Sequence, residues 1–504
     1  MVLFVCRGAE SLGISHLSAM LKAEQIETKL AFDPSLFDDT KYLHYPKIPK
    51  LLKYNEKFSK HIISLKPKVI AFSVLTMNFL WALDIAKRVK AHIDVVTVFG
   101  GIHVQSLPEQ VLQYPQVDFI LRGEGEYSFI SLIKSIYKRE PDLDIGGLGY
   151  KINGELKLNP VAPSITDLDA LPFADRDIFS PYEDFSQSMI YMAGRGCPMK
   201  CTFCDSPVQK EHFPNSNQYL RYRSVALIME ELKLLKSKYN VQSFHMVDDI
   251  FTVNKTWLEE FCSRYPGEIG IPFQVTSYPS LLSEDKVRML KQAGCIYVQV
   301  GVQSLNQENR RKILDRRETN EQVAESIDLC LKHDLPISLD YIFFPWEKSN
   351  KDQLYTARFL QEHPPTRLAN FYLSYLPGTP LIDWALKNGY LKENEVHDIE
   401  LGKTAYYHAG GEYLKTPEIL KFFDNFYNFF LLVLIIPSKF NELAFKLRAW
   451  KYARFIPKTP LIIFKELILP ALTSTYKASP PFIRYARYYF KNYKSILFGQ
   501  YHSD

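Results

Sequence analysis

Cysteine is scarce in this chain of 504 residues: there are seven, an odd number, spread unevenly. That excludes a disulfide framework, which needs dense, paired cysteines. Long apolar runs are missing as well. The longest, Phe429–Ile436, is well short of the ~20 residues that a membrane span requires. The opening residues, MVLFVCRG, have no basic lead and no extended apolar stretch, so no signal peptide is expected. The net charge is only +5, too small for the size to mark a nucleic-acid binder. Internal repeats and low-complexity segments are absent.

What is present is ordinary in bulk and uneven in detail. Hydrophobic residues make up 46% and charged residues 23%, as in soluble globular proteins, while aromatics reach 14%. From Ser438 to Asp504 twelve Lys/Arg face three Asp/Glu. The basic character therefore belongs to the C-terminal region, and the rest of the chain is acidic on balance. The length suggests two to four domains.

The first 150 residues alternate strand and helix. Strands are expected at Val2–Cys6, Thr28–Phe32, Val69–Ser73, Val95–Phe99 and Phe119–Leu121, with helices between them. This spacing predicts a doubly wound parallel sheet, whose ligands bind at the carboxyl ends of the strands. Gly149–Asn159 reads as a hairpin turning on Asn-Gly. Asp167–Asp177 (DLDALPFADRD) is a connector. A second series has strands near Met189–Ala193, Ser243–Val247, Phe273–Thr276, Tyr297–Val300, Ser338–Phe343 and Asn370–Leu373. Six such units predict a partial (β/α)6 barrel. Beyond about residue 400 the pattern turns helical, aromatic and basic. The expected division is 1–150, a linker over 151–185, a barrel over 186–400, and a helical C-terminal region over 401–504.

Cys197, Cys201 and Cys204 stand as C-x3-C-x2-C in GRGCPMKCTFCDSP, directly after a predicted strand. Structural zinc takes four ligands, commonly as two pairs. Here there are three, with no fourth cysteine nearby and only His212 as a close histidine. Three thiolates suit a [4Fe-4S] cluster whose fourth iron stays open to a small molecule. Gly194 and Gly196 are expected to let the backbone approach the cluster, and Phe203 to shield one side.

This motif, with an aromatic before the last cysteine and at the end of the first strand of a βα series, resembles the radical S-adenosylmethionine (SAM) superfamily over about residues 186–400. The resemblance implies that the reduced cluster cleaves SAM and releases a 5′-deoxyadenosyl radical. It assigns Asp248 and Asp249, at the second strand end, to the methionine amino group. It assigns Gln303 and Ser304 of GVQS to the ribose region, with Gln303 standing where relatives carry Glu. Pro345-Trp346-Glu347 replaces the usual Gly-x-Pro-Gly-Glu, and LPGTP at Leu376–Pro380 matches the sixth-strand turn.

The N-terminal loops ESLGISHLS, GGIHVQSLPE and RGEGE resemble the cobalamin-binding domain that precedes the cluster domain in one large subgroup. Ser73, Gly100, Gly101, His103, Gly123 and Glu126 would line the corrinoid slot. The cobalt-ligating D-x-H-x-x-G of many corrinoid proteins is absent. No histidine is therefore expected on the cobalt; His16 reads as a plain helix residue and His103 as slot lining. The resemblance implies three cofactors: the cluster, SAM and cobalamin. It implies methyl transfer from SAM through cobalamin to a substrate carbon. Ring closure or rearrangement is the alternative, and a non-catalytic sensor or scaffold the remaining one. The expected partners are a small-molecule substrate, apolar if the aromatic C-terminal region is a guide, and a reductant such as flavodoxin or ferredoxin. Nucleic acid is not expected. Basic residues interleaved with aromatics after Phe422 suit either a helical cap over the barrel mouth or peripheral contact of a cytoplasmic protein with a membrane.

Overall fold

The computed structural model describes residues 1–36, 47–140, 142–403, 416–457, 460–461 and 487–493. Its first sheet has strands β1 (Val2–Arg7), β2 (Thr28–Asp33), β3 (Val69–Ser73), β4 (Val96–Gly100), β5 (Phe119–Leu121), β6 (Leu148–Ile152) and β7 (Glu155–Leu158). They lie in the order β2-β1-β3-β4-β5-β6-β7. The first five are parallel. β1, β3 and β4 are mostly apolar (VLFVC, VIAFS, VTVFG) because helices cover both faces. Leu3, Val5, Ile70, Phe72 and Phe99 pack on one side with the helices Tyr54–Ser64 and Phe79–Lys90. Phe4, Ala71 and Val98 pack on the other with Leu12–Ala23 and Glu126–Lys138. The chain order reverses between β1 and β3, which opens a crevice at the carboxyl ends of those strands. The hairpin turning on Asn153-Gly154 extends this sheet past residue 150: β6 pairs antiparallel with β5, and β7 with β6.

The second sheet follows β8 (Met189–Tyr191). After the short pair β9 (Gly194–Arg195) and β10 (Arg221–Tyr222) come β11 (Phe244–Met246), β12 (Phe273–Ser277), β13 (Cys295–Gln303), β14 (Ile337–Phe343) and β15 (Arg367–Tyr372). The order β15-β14-β13-β12-β11-β8 is parallel throughout, an open six-stranded barrel as the six βα units predict. Helix starts are set by side-chain caps. Ser224 accepts from Leu227 N, and Thr319 with Gln322 forms a capping box. Leu339, Tyr341 and Phe343 of β14 face the outer core. Alternation then turns Ser338, Asp340 and Ile342 to the inside of the barrel.

The two sheets share one core. Leu168, Leu171, Ile178 and Phe179 of the connector and its continuation are buried in the same cluster as Phe4 and Val98. Asp175 pairs with Lys22 at 2.7 Å and accepts from Ser18 at 2.6 Å. The helix Pro417–Ile435 packs Phe423 and Phe430 on Phe343 of β14, 5.1 and 5.8 Å between ring centroids. It thus covers the outer face of the barrel wall rather than the mouth. Outer β14 is apolar and would otherwise face water. Of RYARYYFKNYK, residues 484–486 and 494 lie outside the described residues. Residues 487–493 form a helical turn against the first sheet, where Tyr488 donates to the carbonyl of Pro34 at 2.9 Å or that of Gly8 at 3.1 Å.

Candidate functional site

The three cysteines lie in the loop between β9 and the helix Asp205–Glu211. The loop is pinned at its centre. Thr202 donates its N–H to Leu314 O at 3.2 Å and its hydroxyl to Ile313 O at 2.6 Å, and its carbonyl accepts from Leu381 N at 3.0 Å. Phe203 packs into the small apolar cluster of Leu314, Phe344 and Leu381. The glycines serve the neighbouring chain. A Cβ on Gly194 would stand 2.6 Å from Arg221 O, and one on Gly196, at φ +92°, 2.3 Å from Tyr219 O. They let the 219–221 segment close behind the cysteine loop, a different task from that expected.

Cys201 is buried, and Cys197 and Cys204 are half-buried. Burial pushes the Cys197 thiol up to about 11 and the Cys204 thiol further still. Free thiols here are therefore neutral, and binding iron must displace their protons. Among the described residues no three His, Cys, Asp or Glu side chains close around a point as they would for a single ion. A four-iron cluster makes a different demand, taking each thiolate on a separate iron. Three cysteines on a tight, partly open loop fit that group.

The two aspartates after β11 diverge. Asp248 is buried and accepts the backbone N–H groups of Gly194 at 2.6 Å and Ala193 at 3.2 Å. These bonds end β8 before the expected Ala193 and hold the approach to the cysteine loop, so its oxygens face backbone rather than a ligand. Burial pushes this carboxyl up to about 7. Asp249 points the other way, into solvent, with Ser206 of the cysteine-loop helix donating to it at 3.3 Å.

Gln303 adopts φ +68° and folds back toward Gly301. Ser304 is fully buried and donates to Glu347 at 2.7 Å, which places it inside the wall behind the strand end. Glu347, the last residue of the altered Pro-Trp-Glu turn, is pushed up to about 7 by burial.

A cavity of about 360 Å³ opens at the carboxyl edge of the first sheet. Ser73, Gly100, Gly101, Gly123 and Glu126 line it; His103 does not. His103 is buried on Phe79, with Nδ1 3.1 Å from Thr76 Oγ1, and burial pushes it down to about 4. Gly101, at φ +99°, is required by the β3 loop, since a Cβ there would stand 2.7 Å from Val74 N. His16 proves to be a lining residue. Burial and the charges of Arg195, Arg223 and Arg176 push it down to about 3. Small side chains at the sheet edge and apolar walls from Leu17, Val98 and Phe129 suit the base-bearing tail of a corrinoid.

The far wall of the cavity is Tyr191–Arg195, the segment that runs into Cys197. Arg195 reaches across to the RGEGE loop, 2.6 Å from Glu126 and 3.1 Å from Glu124. Arg221 adds a second contact to Glu124 at 2.9 Å. Glu126 is thus engaged by an arginine of the barrel. The sequence alone assigns no role to Arg195, Arg221 or Glu124; charged residues within a glycine-rich buried loop are the signal available for them. It also assigns none to Arg316, whose Nη1 lies 3.8 Å from Cys201 Sγ, and no local pattern marks that residue.

Comparison with known proteins agrees with this layout. The family model of the B12 binding domain matches residues 8–133, and that of the Radical SAM superfamily matches 191–352; together they take in more than half of the chain. An uncharacterized methyltransferase of Pyrococcus horikoshii is 26% identical over 388 residues, 75% of this chain and 79% of that protein. The anaerobic magnesium-protoporphyrin IX monomethyl ester cyclase of Rubrivivax gelatinosus is 26% identical over 57% of this chain, which spans about half (53%) of the cyclase. Among solved structures, the cobalamin-dependent S-adenosylmethionine radical enzyme OxsB, with aqua-cobalamin and S-adenosylmethionine bound, superposes with a TM-score of 0.62. It is 18% identical and covers 94% of this chain and 75% of its own.

Proposed function

The chain belongs to the cobalamin-binding radical SAM enzymes, and on that premise we propose that it is a methyltransferase acting on a carbon of a small molecule. The observation that carries this reading is the shared wall. Tyr191–Arg195 bounds the cavity of the first sheet on one side and leads into Cys197 on the other. A corrinoid in the cavity would then lie against the segment that leads into the cysteine loop.

In this reading Cys197, Cys201 and Cys204 would hold the [4Fe-4S] cluster, which would supply a site for SAM. Asp249, exposed beside the cysteine loop, would accept the methionine ammonium, while Asp248 fixes the backbone behind it. Gln303 closes the ribose side. Ser73, Gly100, Gly101 and Gly123 leave room for the corrinoid tail. When bound, the cluster supplies reductive cleavage of SAM, and cobalamin supplies a carrier for its methyl group. The inside of the barrel carries Ser338 and Asp340, with Gln299 donating to Asp340 at 2.7 Å. Such a lining favours a substrate with hydrogen-bonding groups over the wholly apolar one that the C-terminal aromatics suggest. Free cysteines and a low-potential donor such as flavodoxin or ferredoxin call for a reducing compartment, the cytoplasm.

No helix among the described residues is long and apolar enough to cross a membrane. The C-terminal region offers surface contact instead. On the helix Ser438–Lys446 and the turns after it, Phe440, Leu443, Leu447, Tyr452 and Phe455 are exposed beside exposed Lys439, Lys446, Arg448, Lys451 and Arg454. The acidic residue in that stretch, Glu442, is taken up by Arg358. Exposed bulky apolar groups interleaved with basic ones fit an anionic bilayer.

The test is anaerobic reconstitution with iron, sulfide and cobalamin, then SAM and reductant. Methyl transfer releases both S-adenosylhomocysteine and 5′-deoxyadenosine, and Cys201→Ala removes the 5′-deoxyadenosine. Release of 5′-deoxyadenosine alone would replace this reading with ring closure or rearrangement.

A further inference from the structure

Behind Cys201 lies a buried group of charges that does not balance. Arg316 is 5% exposed, and Glu318 and Arg310 are fully buried. Arg316 Nε donates to Glu318 at 2.7 Å, and Arg310 lies 3.7 Å from the same carboxylate oxygen. Tyr278 also donates its hydroxyl to Glu318, and its ring lies 4.4 Å from the Arg316 guanidinium. Two guanidiniums therefore share one carboxylate, and the group carries a net positive charge.

Arg310 spends its remaining donors on Ser304 O, Glu318 O and Asn320 Oδ1, at 2.7–2.8 Å. Arg316 turns its own toward the cofactor side: Nη2 to Gly301 O at 2.5 Å and Nη1 to Cys201 Sγ at 3.8 Å. The neighbouring carboxylates are engaged elsewhere. Asp315 is half-exposed, 3.9 Å from Arg317, and Glu347 is hydrogen-bonded to Ser304 and Asn309. An unbalanced buried charge is costly unless a counter-charge stands beside it. The sulfur of Cys201 is the atom in that position.

We propose that Arg316 is a positioning residue of the cluster: its guanidinium binds the Cys201 thiolate, ties the cysteine loop to the Gly301 strand end, and raises the reduction potential of the cluster. The proposal rests on the reading of Cys201 as a cluster ligand. Reduction adds one electron, supplied by an external donor, and makes the thiolate-bound cluster more negative by one. A fixed positive charge at the sulfur favours that state, because hydrogen bonds to sulfur and net charge set such potentials. Low dielectric in the buried wall strengthens the effect.

The experiment reconstitutes the full chain with iron and sulfide alone and measures the one-electron midpoint potential by redox titration with electron paramagnetic resonance. Arg316→Gln removes a positive charge and lowers the potential by at least a tenfold change in the reduction equilibrium, about 59 mV for one electron. Arg316→Lys falls between that variant and the parent. Glu318→Gln removes the opposing charge and raises the potential. Opposite signs are the signature that a purely structural role cannot produce. Shifts of the same sign, or an unmoved potential in loaded Arg316→Gln, overturn the proposal while leaving the cluster reading intact. Should Arg316→Gln take up no cluster, the directions seen in Arg316→Lys and Glu318→Gln decide it. A parent protein that forms no cluster overturns both readings.

Discussion

At the scale of single residues, burial decides what a polar group is for. Asp248 and Asp249 are neighbours at the end of one short strand, and their chemistry is identical. Past the strand, which ends at Met246, Asp248 turns into the wall while Asp249 stays exposed beside the cysteine loop. Sequence marks the pair but not the division of labour, which depends on where Ala193 and Gly194 arrive. The buried member has a measurable consequence. A carboxyl that titrates near 4 when unfolded is held at about 7 in the folded chain. Between those values the folded state keeps a proton that the unfolded state has lost, so stability falls as pH rises from about 4 to 7, by a few kcal/mol. Asp248→Asn keeps an acceptor for Gly194 and removes the titration. Its stability is lower at pH 5, where the contact to Ala193 is lost, and changes less from pH 5 to 7.5 than that of the parent. Thermal unfolding across that range checks this; parallel profiles for the two proteins would refute it.

At the scale of elements, the β5 loop carrying Gly123–Glu126 is where the two sheets meet. Its glycines were legible because unusual backbone needs unusual residues. Its glutamates stand in the RGEGE motif, yet their partners are hidden, since Arg195 and Arg221 lie about 70 and 100 residues further on. Pairings at that separation leave no periodic trace. The hairpin shows the same limit: its Asn-Gly turn was readable, while its attachment to β5 is a tertiary fact. Glu126 is 8% exposed at its side chain and meets Arg195 across the cavity wall. Arg195→Gln strands that carboxylate and costs about 3 kcal/mol, the low end for breaking a buried pair. Denaturant unfolding measures the loss, and gel filtration should show weaker retention of cobalamin. A cost below about 1 kcal/mol would reduce the contact to an ordinary surface pair.

At the scale of the molecule, the order of cofactor domains was plain from motifs and strand spacing, because each cradle is built from local sequence. How the C-terminal region sits was not. Aromatic and basic residues read alike whether they pack or face a membrane. Phe423 and Phe430 pack on the barrel wall, whereas Phe440 and Phe455 remain exposed. Sedimentation with vesicles separates the uses. The protein should pellet with phosphatidylglycerol-containing vesicles and not with phosphatidylcholine alone, and binding should weaken as salt rises. Phe440→Glu with Leu447→Glu should abolish it. Binding to neither vesicle removes the membrane contact, and equal binding to both removes its preference for an anionic surface.

The turn at 487–493 sets a clock on synthesis. Tyr488 closes on the carbonyl of Pro34 across 454 residues. A ribosome adding roughly 5–20 residues per second needs roughly 20–90 s to cover that distance. Through that interval the carbonyls of Gly8 and Pro34 lack this partner and are left to water or to a chaperone. The start of the first sheet is completed by a segment translated 454 residues after Pro34.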